Sequence, residues 1–389
     1  MKIAHLVSTF PPYYGGMGNA VFGMAQESAK RGHEVTVLTP LETTRGTLVM
    51  TRVPLVIRRL CPFIRYGNAA FLPQLFWMLD DYDIVHLHYP FFGGAKVAAL
   101  WRASQIGKKK RRLVLTYHMD AIAEGWLGRV FAWHNRFILP SILSIADRII
   151  VTSFDYAEHS LLKNNEQRTK NKMVEIPLGV DTDRFQPREK DAELLRQHKI
   201  DPSSFTLLFV GALDRAHVFK GVEVLIRAFK LFSEFQQSEN NVTHTLIIIG
   251  DGVLRPSYAA LARELGIQDK IVFTGRVPED DLPRYYATAD CVVLPSISQS
   301  EAFGMTLLEA MASGIPVIAS LLPGVRKLVV DRRTGLFAKP GDVVGLAKVI
   351  ATVADDPELR TRYGNAGRAR AIDRYTWENV GDELERVYR

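Results

Sequence analysis

Ser300–Pro316 reads SEAFGMTLLEAMASGIP and stands between two short apolar runs, CVVLP (Cys291–Pro295) and PVIAS (Pro316–Ser320). Each run has the length of a buried strand. Between them Met305–Ser313 has helical spacing and is closed by Gly314, with Pro316 just beyond, a sound helix stop. A strand–loop–helix–strand unit of this size fits a parallel α/β sheet, and in such sheets ligands bind at the loops that follow the strands. The loop here holds one carboxylate, Glu301, and then small and apolar residues whose amides open a helix, an anion-binding arrangement. A second carboxylate, Glu309, follows within the helix. The pair brackets a place for a phosphate-bearing ligand that also presents hydroxyls.

The same alternation of short apolar runs with amphipathic helices extends over the chain, the signature of doubly wound α/β structure. The 389 residues exceed one ordinary core, so two domains are expected. In the first half, strands are predicted near Ile3–Ser8, Glu34–Thr39, Ile84–His88, Leu113–Tyr117, Arg148–Thr152 and Met173–Ile176. In the second they are predicted at Phe205–Gly211, Thr245–Gly250, Lys270–Phe273, Cys291–Pro295 and Pro316–Ala319. The stretches Pro54–Leu79 and Trp126–Ile145, rich in aromatic residues, Leu and Arg, are read as helices. The polar segment 181–204 reads as a connection, giving domains at 1–180 and 205–373 and a terminal helix over 374–389.

The charge is divided unevenly. Residues 1–179 carry 22 Lys and Arg against 13 Asp and Glu, and the remainder carries 27 against 29. The densest cluster is Lys108–Arg112. Arg58, Arg59 and Arg65 interleave with Leu55, Val56, Ile57, Leu60, Phe63 and Ile64. A basic face carrying apolar residues suits an anionic membrane surface or a lipid-phosphate acceptor. No helix-turn-helix, zinc-finger or aromatic-rich pattern accompanies the charge, which argues against nucleic acid as a partner. No apolar run reaches the roughly 18 residues that span a bilayer. The opening MKIAHLVSTFPP reads as a first strand, so a cytoplasmic protein is expected, with peripheral contact at the inner face of the membrane. Cys61 and Cys291 are too few for a disulfide framework.

E-A-F-G-M-T-L-L-E resembles the E-x7-E motif of retaining family-4 glycosyltransferases. Supporting segments occur in the right order: FPPYYGGMGNAV (Phe10–Val21), DYDIVHLHYP (Asp81–Pro90), LVLTYHMD (Leu113–Asp120), IPLGVDTDRF (Ile176–Phe185), FVGALDRAHVFKGVEVLIRAF (Phe209–Phe229) and IIIGDGVLR (Ile247–Arg255). The resemblance implies a GT-B fold, two Rossmann-like doubly wound α/β domains facing a central cleft. It also implies a nucleotide-diphosphate sugar as donor and a terminal helix that returns to the first domain. By the same resemblance Glu301 contacts the hexose hydroxyls beside the amides of Phe303, Gly304 and Met305, and Glu309 accepts from the ribose. His118 lies near the reacting centre. Lys220 neutralises the diphosphate, the Gly15–Gly16 loop approaches the donor phosphate, and Gly250, Gly252, Arg276 and Val277 line the sugar and base pockets. One departure stands out. The Arg usual after Gly211 is Ala212, leaving Arg215 or His217 to supply that contact.

Asp81-x-Asp83 and Asp181-x-Asp183 match a metal-binding pattern of other transferases, and His86 and His88 share a strand face. Lys220 and the helix amides already bring the charge a divalent ion would supply, so no metal or other cofactor is expected. The activity implied is transfer of a hexose from a UDP- or GDP-sugar to a glycan or lipid-linked acceptor in cell-envelope polysaccharide or glycolipid synthesis. The alternatives are an epimerase or hydrolase of sugar nucleotides on the same fold, and a non-catalytic nucleotide-sugar-binding subunit.

Overall fold

The computed structural model describes residues 1–11, 15–41, 54–67, 69–106, 111–122, 125–239 and 243–389. Of the basic cluster at 108–112, Lys108, Lys109 and Lys110 lie outside the described residues. The chain divides into two compact units, residues 1–179 with 377–389, and residues 180–376.

The first unit is built on β1 (Lys2–Leu6), β2 (Glu34–Pro40), β3 (Leu55–Leu60), a hairpin β4 (Ile64–Tyr66) and β5 (Ala69–Phe71), then β6 (Ile84–Tyr89), β7 (Arg112–Tyr117), β8 (Arg148–Val151) and β9 (Met173–Glu175). Apart from the hairpin these strands form one parallel sheet in the order β3-β2-β1-β6-β7-β8-β9. Helices cover the central strands, so every residue of β6 is buried, and its continuous IVHLHY reads as a two-sided core strand. The second unit has β10 (Phe205–Val210), β11 (His244–Ile249), β12 (Ile271–Gly275), β13 (Cys291–Leu294), β14 (Val317–Ser320) and β15 (Gly335–Ala338). These are also parallel, in the order β12-β11-β10-β13-β14-β15. Its core gathers Phe205, Leu207, Phe209, Ile226 and Phe229 with Leu346 and Ile350 of a later helix.

In each sheet the strand order reverses about one strand, β1 in the first and β10 in the second. A crevice opens there at the carboxyl ends of the strands, where ligands bind in this architecture. The loops after β1, β6 and β7 are therefore the positions of interest in the first unit, and those after β10 and β13 in the second.

The helices expected over 54–79 are corrected. That stretch is β3, the hairpin β4–β5 and one short helix, Leu75–Met78. β3 is an edge strand with alternating exposure, so it accommodates Arg58 and Arg59 and hides its period among charges. Arg59 donates to the carbonyl of Pro11 at 2.6 Å and Arg65 to that of Leu41 at 2.7 Å, so both hold main chain. Over 126–145 two helices do form, Gly125–Phe137 and Leu139–Ile145. β15 went unpredicted. Residues 181–204 contain a helix, Ala192–Gln197, and belong to the second unit.

The helix Trp377–Tyr388 packs on the helix Gly16–Lys30. Glycines make that approach possible: a Cβ on Gly23 or Gly179 would collide with the Trp377 indole, and one on Gly381 with Arg31. Arg31 pairs with Glu27 at 3.0 Å and with Asp382 at 2.7 Å, and His33 pairs with Glu385. Among the described residues no helix is long and apolar enough to cross a membrane.

Candidate active site

In the second unit the loop after β10 runs through Gly211 into a short 3-10 helix, Arg215–Lys220, and then the helix Val222–Glu239. Gly221 joins the two with φ of 71°, and any Cβ there would collide with the carbonyl of Pro295, just past β13. Glycine thus lets two loops from neighbouring strands touch. The Ile297 amide donates to the Phe219 carbonyl at 2.7 Å and ties them. The consequence is a close ion pair. Lys220 Nζ lies 2.8 Å from Glu301 Oε2, with the two side chains only 16% and 11% exposed. The Phe219 ring lies 5.6 Å from the ammonium.

Gly304 precedes the helix Met305–Ala312 with φ of 92°, a left-handed position that favours glycine. Phe303 is buried edge-on against Tyr375. One turn into the helix, Glu309 accepts a hydrogen bond of 2.6 Å from the Tyr286 hydroxyl. Protein packed around its carboxyl raises the pKa to about 7, against the opposing influence of that hydrogen bond and of Arg184. Glu309 thus stands half-protonated near neutrality.

The structure gives the remaining candidates of this unit different surroundings. Asp214 accepts from the His217 amide at 3.1 Å and its ring Nδ1 at 2.7 Å, so His217 is held by its own turn. Arg215 is exposed. Gly252, at φ of 156°, sits against the main chain of Leu213, where no Cβ would fit, and so brings the loop after β11 onto the loop after β10. Val277 is buried. Asp181 accepts from the amides of Asp183 and Arg184 at 3.1 and 3.0 Å, a turn that uses the carboxylate locally. Asp83 accepts from the Lys2 amide.

In the first unit Gly15 is extended and Gly16 opens the helix Gly16–Lys30 with nothing within 4 Å of a Cβ placed there. Among the described residues no neighbour accounts for Gly16. Pro12, Tyr13 and Tyr14 of the same motif lie outside the described residues. His118 follows β7, and its amide donates to the Tyr89 carbonyl at 3.0 Å. Register places His5 beside His86, and His88 beside Thr116, so these side chains and His118 share one face of the sheet. The rings form a row, with His5 Nδ1 2.9 Å from His88 Nε2 and His88 Nδ1 3.0 Å from His118 Nε2. His86 bonds to the Tyr388 hydroxyl at 2.7 Å and to Thr116 at 2.6 Å. Burial lowers the pKa of every ring, to about 3 for His5 and about 4 for His118, so all are neutral at pH 7. Ring nitrogens of His5, His86 and His88 lie within 4.8 Å of one another, the spacing of a metal-ligand group. An ion there would take one nitrogen of each ring and so displace one hydrogen bond of His86 and one of His88.

Sequence reasoning had His118 and the His86–His88 alternation but missed His5, Tyr286 and Tyr388. No local signal marks them, because each reaches its partner through strand order or a distant helix.

The first unit also carries a cavity of about 1010 Å³ lined by none of the predicted site residues. Arg136, Arg168, Asn135 and Asn164 contribute polar groups, and Phe131 and Phe137 contribute apolar walls. It adjoins the helix Gly125–Phe137, on which Trp126, Trp133 and Phe137 stand 61%, 57% and 61% exposed. With Val130 they follow helical spacing along one face.

Comparison with known proteins agrees with this architecture. Residues 190–370 match the family described as glycosyl transferases group 1, and residues 14–184 match glycosyltransferase family 4. The chain is 31% identical to a GDP-mannose-dependent alpha-(1-6)-phosphatidylinositol monomannoside mannosyltransferase of Mycolicibacterium smegmatis, over 97% of this chain and 96% of that one. It is 26% identical to O-antigen chain mannosyltransferase C of Escherichia coli, over 100% and 98%. Among solved structures, sucrose-phosphate synthase of Thermosynechococcus elongatus superposes with a TM-score of 0.78 at 23% identity, covering 100% of this chain and 98% of the other. Anabaena HepE in complex with UDP-glucose gives 0.76 at 19%, covering 99% and 98%. The chain belongs to glycosyltransferase family 4 and has the GT-B fold of two Rossmann-like domains.

Proposed function

We propose that this glycosyltransferase moves a hexose, with retention of configuration, from a nucleotide-diphosphate sugar to a hydroxyl of a lipid-linked or glycan acceptor in cell-envelope glycolipid or polysaccharide synthesis. The observation that carries the reading is the Lys220–Glu301 pair at 2.8 Å, set at the switch point of the second sheet beside the capped helix that bears Glu309. A fixed ammonium beside helix-end amides offsets the charge of a departing diphosphate, and Glu301 is placed to take sugar hydroxyls. Among the described residues no side chain there is arranged as a nucleophile with a partner acid, so in this reading the leaving phosphate takes the acceptor proton on the face where the new bond forms. The site works without a resident metal in this reading.

GDP-mannose is the donor to try first, because a relative of near full-length coverage is named for it. The exposed aromatic row on Gly125–Phe137, with Arg129 and Arg136 on the same helix, supports an acceptor presented at an anionic membrane surface. The test is a thermal-shift panel of UDP, GDP, ADP and their sugar conjugates, with EDTA and with magnesium, followed by transfer assays with the stabilising donor. Stabilisation by one nucleotide series in EDTA, and loss of transfer in Glu301→Ala, are expected. No shift with any nucleotide, or near-normal transfer by Glu301→Ala, overturns the assignment.

A further inference from the structure

The row of imidazoles in the first unit ends in two different surroundings. His5 and His88 are 0% exposed, whereas His118 is 5% exposed and lies at the carboxyl end of β7. His5 Nε2, at the closed end, is buried with no hydrogen-bond partner among the described residues. His118 uses Nε2 toward His88, leaving Nδ1 at the open end.

A neutral imidazole carries one N–H and one bare nitrogen. Three neutral rings joined by two N···N contacts must therefore run head to tail, and one N–H is left over at an end of the row. In one direction it falls on His5 Nε2, a buried donor facing nothing. In the other it falls on His118 Nδ1, where water or a ligand can accept it. A buried N–H without an acceptor is rarer than a bare acceptor and loses its full desolvation penalty, so the second direction is favoured. His5 donates through Nδ1 to His88, and His88 donates through Nδ1 to His118.

We propose that His5 and His88 are positioning residues that lock His118 in its Nδ1–H form, so that it meets a substrate oxygen as a hydrogen-bond donor and not as a base. The functional half of this statement rests on the transferase reading above, and the tautomer half does not. A donor fixed before substrate arrives holds a sugar or acceptor hydroxyl oxygen in its reacting position without reorganisation.

The test reads the tautomer directly. Protein labelled with 15N-histidine is examined by two-bond proton–nitrogen spectra near neutral pH, with His118 assigned by its loss in His118→Gln. The wild type is expected to show His118 protonated on Nδ1 and bare on Nε2. His88→Leu removes the donor to His118 and returns it to the Nε2–H form that free imidazole side chains prefer. His88→Asn keeps an N–H near the same place and is expected to restore the wild-type pattern. Turnover in His88→Leu falls about tenfold, the ordinary worth of one hydrogen bond, with the donor KM little changed, and His88→Asn recovers most of it. A wild-type His118 protonated on Nε2, or a charged one, overturns the proposal without recourse to any variant. The Nδ1–H pattern in a protein that transfers no sugar supports the row and overturns the functional reading alone.

Discussion

Lys220 and Glu301 neutralise each other across loops that belong to different strands, so each is a structural as well as a chemical partner of the other. Removing one leaves the other charged in a nearly dry place. Lys220→Met should cost roughly 3 kcal/mol of stability, the lower end for breaking a buried pair, and about a hundredfold in turnover. The double variant Lys220→Met with Glu301→Gln should regain most of the stability and none of the turnover. Melting and rate measurements on the three variants separate the two roles, and an activity that returns with stability would assign the pair to structure alone. Glu309 gives a pH signature. Its carboxyl is protonated up to about pH 7 in the folded chain and only up to about 4.3 in the unfolded one. The stability it contributes is fully present below the unfolded value and is lost as pH rises through the folded value. Glu309→Gln lacks this dependence. Relative to that variant, wild-type Tm should fall between about pH 5 and about pH 7.5 by at least roughly 2–4 °C, what 1 kcal/mol is worth in a unit of this size. Parallel pH curves would show that Glu309 ionises normally. Glu301 and Glu309 were singled out by the resemblance of one nine-residue motif, which lies within a single stretch of chain. Tyr286, which donates to Glu309, was not, since it arrives from a helix 23 positions earlier in the chain.

At the scale of elements, period and burial explain what could be read. A strand buried on both faces, such as CVVL, appears as an uninterrupted apolar run, and IVHLHY as one broken only by His86 and His88. LVIRRL is half exposed at a sheet edge and carries two arginines, which masked its period. GLFA at β15 is short and opens with the glycine that lets it lie against Val317 of β14. The helix Gly125–Phe137 inverts the usual arrangement, for none of its residues is buried while Trp126, Trp133 and Phe137 face outward. Replacing Trp126, Trp133 and Phe137 by Ser should weaken binding to anionic vesicles at least roughly tenfold, since a single large apolar side chain entering lipid accounts for that much. Nucleotide-induced thermal shifts should be unchanged, because the proposed donor site lies in the other unit. Vesicle co-sedimentation at low and moderate salt is the measurement, and undiminished binding would remove this face from the membrane contact.

For the whole molecule, two sheets with matching switch points place loops, and the loops hold the chemistry. That much follows from alternating strands and helices, because parallel sheets leave few topologies. Strand order itself was out of reach of the sequence, and with it the adjacency of His5 and His86. The same holds for the last helix: Trp377 fills the space left by Gly23 and Gly179, and Tyr388 bonds to His86 in the middle of the first sheet. The first unit is thus stitched from the two ends of the chain, with the whole second unit spelled out between them. On the ribosome it waits, with His86 short of Tyr388 and the slot for Trp377 open, until residues 377–389 emerge, so a chain that stops before Trp377 holds every residue of the second unit and only part of the first.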